Sequence, residues 1–418
     1  MITAREHVPC PFCGLRCDDL TVRTDGAAVT VLANGCERSR TQFALRVGPD
    51  AGCRVDGSAA SLEQALTRSA AILSGALQPL LLAGGADVQA VRALLELADR
   101  VGAVVDHVNG DAMMRNLHVL QDTGWVTTTL SEVRNRADLL MLVGGDIVSR
   151  FPRFFERCID NASTLFARER VRPDVIFLGV PPPPGVNGEH LAIEPDRLSE
   201  LFAALRALQA GARLDVQQVA GLPVTQLAAV LTRMQQARYG VIAWAAADLA
   251  IPHAELAIQS LCELVKALNL SGRFVGLPLA GNDGDVTAYQ VITWQTGLPL
   301  RTRFARGGPQ FDPYRFGAGR LLQNAEVDAL LYVAALDATR HPPAASCPTI
   351  VLGRAGMTPP PGCAVFIPIG TPGVDHTGHL YRSDTVVAVR MHQLVERGLP
   401  SAQQVLAEIG ARIARDEA

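Results

Sequence analysis

Residues 79–87 read Pro-Leu-Leu-Leu-Ala-Gly-Gly-Ala-Asp. A short apolar run without alternation suits a strand buried on both faces, and this one stops at a glycine pair. The residues after it change period: Val91, Leu94, Leu95 and Ala98 recur at helical spacing across 88–101. Strand, glycine turn and helix make the repeating unit of a parallel sheet with crossover helices. Upstream, Leu62, Ala65, Leu66, Ala70 and Leu73 share one helical face over 61–76, with Ser61 as N-cap. Downstream, strands are expected at 103–106, 138–143 and 175–180, the second ending in Gly144-Gly145-Asp146. Pro181 to Pro184 and Gly185 form a rigid break, read as a linker.

Beyond that break the alternation resumes. Helices are expected over 196–211, 223–236 and 253–268, strands over 240–245, 273–276, 329–334, 349–352 and 364–367, and a closing amphipathic helix after Leu394. Residues 1–50 instead hold short strand-like runs at 20–23 and 29–32 around the turn Asp25-Gly26. The expected fold is therefore α/β. A small Cys-bearing β domain (1–55) precedes two doubly wound α/β domains, 56–185 and 186–418, the last with a C-terminal segment that returns to the first. Ligands in such sheets bind beyond the carboxyl ends of the strands.

A chain of 418 residues has room for two or three cores, and 48% hydrophobic with 19% charged residues is a globular composition. The net charge of −3 sets aside nucleic acid as the main partner. Residues 1–30 carry Arg5, Glu6, Asp18 and Asp19 in place of an apolar export segment. No run of ~18 apolar residues offers a membrane span. A cytoplasmic protein with reduced thiols is expected from nine cysteines in this setting. Lys266 is the only lysine among 38 basic residues, a compositional bias of a GC-rich genome, so only clusters of arginine inform.

Cys10-Pro-Phe-Cys-Gly-Leu-Arg-Cys17 is followed by Cys36, a C-x2-C-x3-C-x18-C spacing. Three thiolates on one tight turn reach three corners of a metal site and a later Cys closes it. Paired C-x2-C knuckles read as structural zinc, whereas a three-Cys run with a distant fourth reads as a four-iron four-sulfur cluster. Buried reduced thiols are the plainer alternative.

Gly84-Gly85 and Gly144-Gly145 each follow a strand, where glycine lets backbone approach a phosphate or simply makes a βα turn. Between Arg301 and Arg320 lie five arginines and a single acid, Asp312, a cationic loop suited to phosphates or carboxylates, or to a subunit contact. The loop Gly276 to Asp285 reads as a structural turn. His376 and His379 lack an acidic partner in helical register for a metal site. No G-x-S-x-G, H-E-x-x-H or H-x-H occurs, so hydrolase triads and zinc hydrolases find no foothold.

The cysteine run with Asp18-Asp19-Leu20, Asn34-Gly-Cys36, Leu120-Gln-Asp-Thr-Gly124 and Glu132-Val-Arg-Asn-Arg-Ala-Asp138 resembles the B subunit of formylmethanofuran dehydrogenase. Val291-Ile-Thr-Trp-Gln-Thr-Gly297, Phe304-Ala-Arg-Gly307, Gly373-Val-Asp-His-Thr-Gly378 and Tyr381-Arg-Ser-Asp384 extend the likeness, in order, over nearly the whole chain. The resemblance implies a molybdopterin oxidoreductase (formate dehydrogenase) type fold. In that fold a cluster domain precedes two α/β domains holding a tungsten or molybdenum bis-pterin, and this subunit lacks the C-terminal β-barrel of larger relatives.

Two departures matter. In the redox family a Cys or selenocysteine followed by His binds the metal shortly before the Leu-Gln-Asp segment. Here that stretch is Asn109-Gly-Asp-Ala-Met-Met-Arg-Asn-Leu-His118, and no Cys lies between Cys53 and Cys158. Without a soft anionic ligand the tungsten or molybdenum site loses its protein bond. The family also commonly sets a Lys between cluster and pterin, for which Arg38 or Arg40 would have to substitute. The pattern fits the B subunit of the bacterial formyltransferase/hydrolase complex of methylotrophs. There, amidohydrolase-like and formyltransferase subunits, with a C-type subunit, pass a formyl group from tetrahydromethanopterin to methanofuran or methylofuran and release formate. The expected role is a non-redox scaffold without tungsten or molybdenum pterin, in which Cys10, Cys13, Cys17 and Cys36 hold a four-iron four-sulfur cluster or zinc. Arg301, Arg303 and Arg306 are then candidates for an anionic cofactor tail or a vestigial pterin site. A live tungsten or molybdenum dehydrogenase interconverting CO2 and formate is the alternative.

Overall fold

The computed structural model describes residues 2–47, 52–145, 147–161 and 163–413. The chain separates into two units, Met1–Gly110 with Gly281–Ala418, and Asp111–Ala280.

The first unit is built on a nine-stranded sheet. Its spatial order is Gly308–Phe311, Thr302–Ala305, Val104–His107, Pro79–Ala83, Ala329–Ala334, Thr349–Arg354, Val365–Ile369, Cys53–Val55 and Ser58–Ala60. The five central strands run parallel. An antiparallel hairpin closes each edge. The central strands are buried on both faces, which is why they read as unbroken apolar runs. Leu80, Leu82, Val104, Leu330, Tyr332, Val351 and Phe366 form one core cluster.

Helix Leu62–Ser74 starts at a reciprocal capping box between Ser61 and Gln64. Helix Val88–Val101 is capped by Asp87, whose carboxylate accepts from the Ala90 amide at 3.2 Å, and stops at Gly102 with φ 69°. The closing helix, Ala402–Arg412, packs against both. Strands Ile2–Val8, Leu20–Asp25 and Ala28–Ala33 make a separate antiparallel sheet, followed by helix Glu37–Ala44. The cysteine run is the loop between the first two of these strands.

The second unit has five parallel strands in the order Glu189–Leu191, Asp174–Gly179, Leu139–Gly144, Gly240–Trp244 and Phe274–Pro278. The order reverses between Leu139–Gly144 and Gly240–Trp244, the crevice where doubly wound sheets take ligands. Helices Leu198–Gln209, Val224–Gln236 and Ala254–Leu268 contribute to its core. At its centre Trp244 is fully buried and donates Nε1–H to Asn116 Oδ1 at 2.9 Å.

The expected domain limits need correction. Pro181–Pro184 does not divide domains: it lies between Asp174–Gly179 and Glu189–Leu191, which pair directly. The boundary at 55/56 falls inside the Cys53–Val55 hairpin of the large sheet. The expected 56–185 domain is split, because Leu139–Gly144 and Asp174–Gly179 join the second unit. Periodicity locates strands; it does not say which sheet each one joins. The hairpins Thr302–Ala305/Gly308–Phe311 and Gly378–Tyr381/Ala388–Met391 and the helices Gly110–Asp122 and Asp285–Thr296 were not anticipated.

Candidate functional site

The cysteine loop folds back on itself. The Cys10 amide donates to Cys17 O at 2.8 Å and the Arg16 amide to Cys13 O at 3.2 Å, with Arg16 at φ 47°. Cys10, Cys13 and Cys17 are buried, and half-buried Cys36 is the N-cap residue of Glu37–Ala44. Burial pushes the Cys10 thiol well up, and the neighbouring Cys13, Cys17 and Cys36 add to it. Burial also raises Cys13, opposed by the Leu15 amide and the charges of Arg16 and Arg38. Cys10 is thus influenced by the other three thiols and Cys13 by Cys36, with the Arg16 and Arg38 charges close to Cys13. Among the described residues, however, no group of three or more His, Cys, Asp or Glu is set as a metal shell, these four included. The donor set suits a thiophilic centre in identity, burial and compensating charge. Of the two arginines considered as a lysine substitute, Arg38 stands by Cys13, whereas Arg40 donates to Val31 O at 3.3 Å.

A second loop seats the first. The Gly14 amide donates to Asn282 Oδ1 at 3.1 Å, and the Ser383 amide to Gly14 O at 2.8 Å. Buried Arg16 donates Nη2–H to Gly281 O at 2.8 Å and Nε–H to Tyr381 O at 3.2 Å. A Cβ on Gly281 would lie 2.9 Å from Gly14 Cα, and one on Gly284 2.9 Å from Ala86 O. Both glycines have positive φ, 93° and 70°, so this loop requires them twice over. Reading 276–285 as a plain turn missed this seat; the signal was Gly281-Asn-Asp-Gly-Asp285 itself, dense in residues that tolerate left-handed backbone.

The same loop closes a polar network at the carboxyl ends of the central strands. Asp285 is buried and accepts from the Gly281 and Val286 amides, both at 2.6 Å, and from Asn109 Nδ2 at 3.1 Å. Burial raises its carboxyl, with His107 and Asn109 pulling it down. His107 Nδ1 accepts from the Asn109 amide at 2.9 Å, so Nε2 carries the hydrogen that reaches Asp283 O at 3.0 Å. Arg340 Nη2 donates to Asn109 Oδ1 at 2.9 Å and lies 3.0 Å from Asp283 Oδ2. Asn109, which opens the stretch where the resemblance places a metal-binding Cys, therefore has its amide, its Nδ2 and its Oδ1 engaged.

Both glycine turns pack closely against the chain's own side chains. A Cβ on Gly84 would fall 2.3 Å from Tyr332 Oη, and one on Gly145 2.4 Å from Asp248 Cβ. Asp248 in turn pairs with Arg150, whose Nε lies 3.2 Å from Oδ2. Each turn accommodates the chain's own side chains; Asp146 lies outside the described residues. The three arginines do not converge either. Arg301 is buried, 3.5 Å from Asp106 Oδ2, and donates to Pro313 O at 2.5 Å. Arg301, expected to hold an anionic cofactor tail or a vestigial pterin site, has its charge matched inside the fold by Asp106. Arg303 is half-buried on Thr302–Ala305 and Arg306 is exposed in the hairpin turn. His376 and His379 lie near Asp87, whose carboxyl burial raises; the His376 charge and the His379 backbone amide oppose that rise.

The parallel sheets and the seated cysteine loop place the chain in the fold of acetylene hydratase from Pelobacter acetylenicus, with a TM-score of 0.63 at 12% identity over 99% of this chain and 70% of that one. No family model matches. The chain is 30% identical over 332 residues to the B subunit of the formyltransferase/hydrolase complex of Methylorubrum extorquens, covering 78% of this chain and 87% of the relative. It is 29% identical over 404 residues to the B subunit of the tungsten-containing formylmethanofuran dehydrogenase 2 of Methanocaldococcus jannaschii, covering 92% and 93%. The crystal structure of the M. extorquens formyltransferase/hydrolase complex with methylofuran matches at TM-score 0.75 and 27% identity, over 86% of this chain and 98% of that one. The chain belongs to the family of formylmethanofuran dehydrogenase B subunits, in which these two relatives fall. No helix among the described residues is long and apolar enough to cross a membrane.

Proposed function

We propose that this chain is a redox-silent structural subunit of a cytoplasmic formyltransferase/hydrolase complex acting on formylated methanofuran-type and tetrahydromethanopterin carriers. The observation that carries the reading is Asn109. The side chain that opens the metal-ligand stretch is an amide bound on both ends by Asp285 and Arg340, and an amide is no soft donor. The turns at Gly84 and Gly145 then serve packing, against Tyr332 and Asp248 of the same chain. On this reading the architecture is that of a molybdopterin oxidoreductase that keeps its layers without its cofactor.

The chemistry belongs to the partner subunits. Water adds to the formyl amide, the C–N bond breaks, the amine keeps a proton and formate leaves, with no electrons exchanged. This chain contributes surfaces, with Arg306 the remaining exposed candidate for an anionic carrier tail. Cys10, Cys13, Cys17 and Cys36 would hold a four-iron four-sulfur cluster, which supplies electron transfer, or zinc, which supplies a cross-link. Arg16 and Arg38 would offset the thiolate charge.

A live tungsten or molybdenum dehydrogenase is the second reading, favoured by the intact cysteine set and by two tungsten-enzyme relatives. The complex purified anaerobically with this chain separates the two. Formate release from a formylated methanofuran-type substrate, with no substrate-dependent viologen reduction, is expected. Substrate-dependent viologen reduction would overturn the proposal.

A further inference from the structure

In the second unit, residues 163–172 form a loop that is firmly held and still presents apolar side chains to water. Arg170 pins it. Its Nη1 donates to Cys158 O at 2.9 Å and Asn161 Oδ1 at 2.5 Å, and its Nη2 to Val133 O and Ala137 O, both at 3.2 Å. Thr164 Oγ1 accepts from the Phe166 and Ala167 amides at 3.1 and 2.9 Å, and the Leu165 amide donates to Asn135 Oδ1 at 2.9 Å. Arg172 is 2.8 Å from Asp160. On this frame Leu165 is 83%, Phe166 65% and Val171 90% exposed. The Arg136 guanidinium stands over the Phe166 ring at 4.9 Å.

Such a loop is ordered before anything binds, so an incoming surface gains apolar burial without immobilising it. Stretches 130–136 and 157–172 together carry six arginines against three acids, Glu132, Asp160 and Glu169; with Arg136 paired to Glu132 at 2.6 Å and Arg172 to Asp160, the rim keeps a net positive charge. We propose that this loop is the docking surface for another subunit of the complex, one whose face offers an apolar pocket rimmed by carboxylates. The assignment rests on the reading of the chain as a complex subunit. A second copy of this chain is the poorer occupant, because a two-fold contact through the loop would bring the same arginines face to face.

The test uses the complex isolated through a tag on this chain, with the co-purifying subunits identified and quantified by mass spectrometry. The triple variant Leu165→Ser, Phe166→Ser, Val171→Ser removes exposed side chains and is expected to keep the melting temperature of the isolated chain. It should lower the recovery of at least one partner subunit more than tenfold, and amides 163–171 should exchange more slowly in the wild-type complex than in the isolated chain. Full recovery with the variant, or unchanged exchange, would overturn the surface assignment alone. A wild-type dimer dissolved by the variant would overturn it in favour of self-association. A wild-type chain that brings down no stoichiometric partner would overturn the underlying reading, and this assignment with it.

Discussion

Asp106→Ala is expected to destabilise the first unit by about 3–5 kcal/mol, the cost of leaving a buried partner charge uncompensated. Asp106 is 1% exposed and Arg301 8% exposed, at the junction of the central sheet and its Thr302–Ala305 edge. The carboxylate also accepts from the Ala318 amide at 2.8 Å, so its loss strands a helix start as well as a guanidinium. The double variant Asp106→Leu, Arg301→Leu should recover much of the loss, because a volume-matched apolar pair needs no compensation. The pH dependence has a defined sign. Burial raises the Asp106 carboxyl despite Arg301 and the Ala318 amide. The folded chain therefore holds this proton more tightly than the unfolded chain. Relative to Asp106→Asn, the wild type is favoured below the unfolded carboxyl value of about 3.9. It loses that advantage as pH rises through the higher folded value. Calorimetry of the three variants across about pH 3–7 checks both parts, and an Asp106→Ala chain as stable as wild type would refute the pairing.

Arg354→Ala should release the cysteine loop from the large sheet. Arg354 is 2% exposed at the end of Thr349–Arg354; it donates to Gln42 O at 2.6 Å and Leu336 O at 3.0 Å and lies 4.9 Å from the Phe12 ring centroid. Burial brings its pKa down to about 10, with Asp375 and Asp337 opposing, so it remains charged at neutral pH. Orphaning two carbonyls at about 1–3 kcal/mol each gives an expected loss of about 3 kcal/mol. Losing the contact with Phe12 adds about 1 kcal/mol. Amides 10–17 should exchange faster in the variant by a factor matching that loss. Arg354→Lys keeps the charge but not the fork and should fall between. Unchanged exchange at 10–17 would show that the loop is held by its 281–285 seat alone.

Most of the sheet architecture was legible because buried parallel strands advertise themselves. Helix 88–101 and strand 329–334 fall on the expected residues, and Ser61 caps its helix as expected. Strand assignment to sheets was not legible. The proline run looked like a linker because proline breaks periodicity, yet it joins two neighbouring strands. The site was half legible. Spacing alone pointed to the four cysteines, whereas the 281–285 seat and the Asn109 network depend on left-handed backbone and on partners up to 268 residues apart. Arg301 shows the converse failure: a cationic stretch in sequence cannot reveal that a buried aspartate from a distant strand already matches one of its charges.

The central claim is that the chain scaffolds a formyl-transferring assembly without a redox metal of its own. Elemental analysis of the anaerobically purified complex, counting tungsten, molybdenum, iron and zinc per chain, tests it most directly. The account predicts tungsten and molybdenum far below one per chain, with iron near four or zinc near one if the cysteine set is filled. Tungsten or molybdenum at one per chain would contradict it and make the chain part of a dehydrogenase.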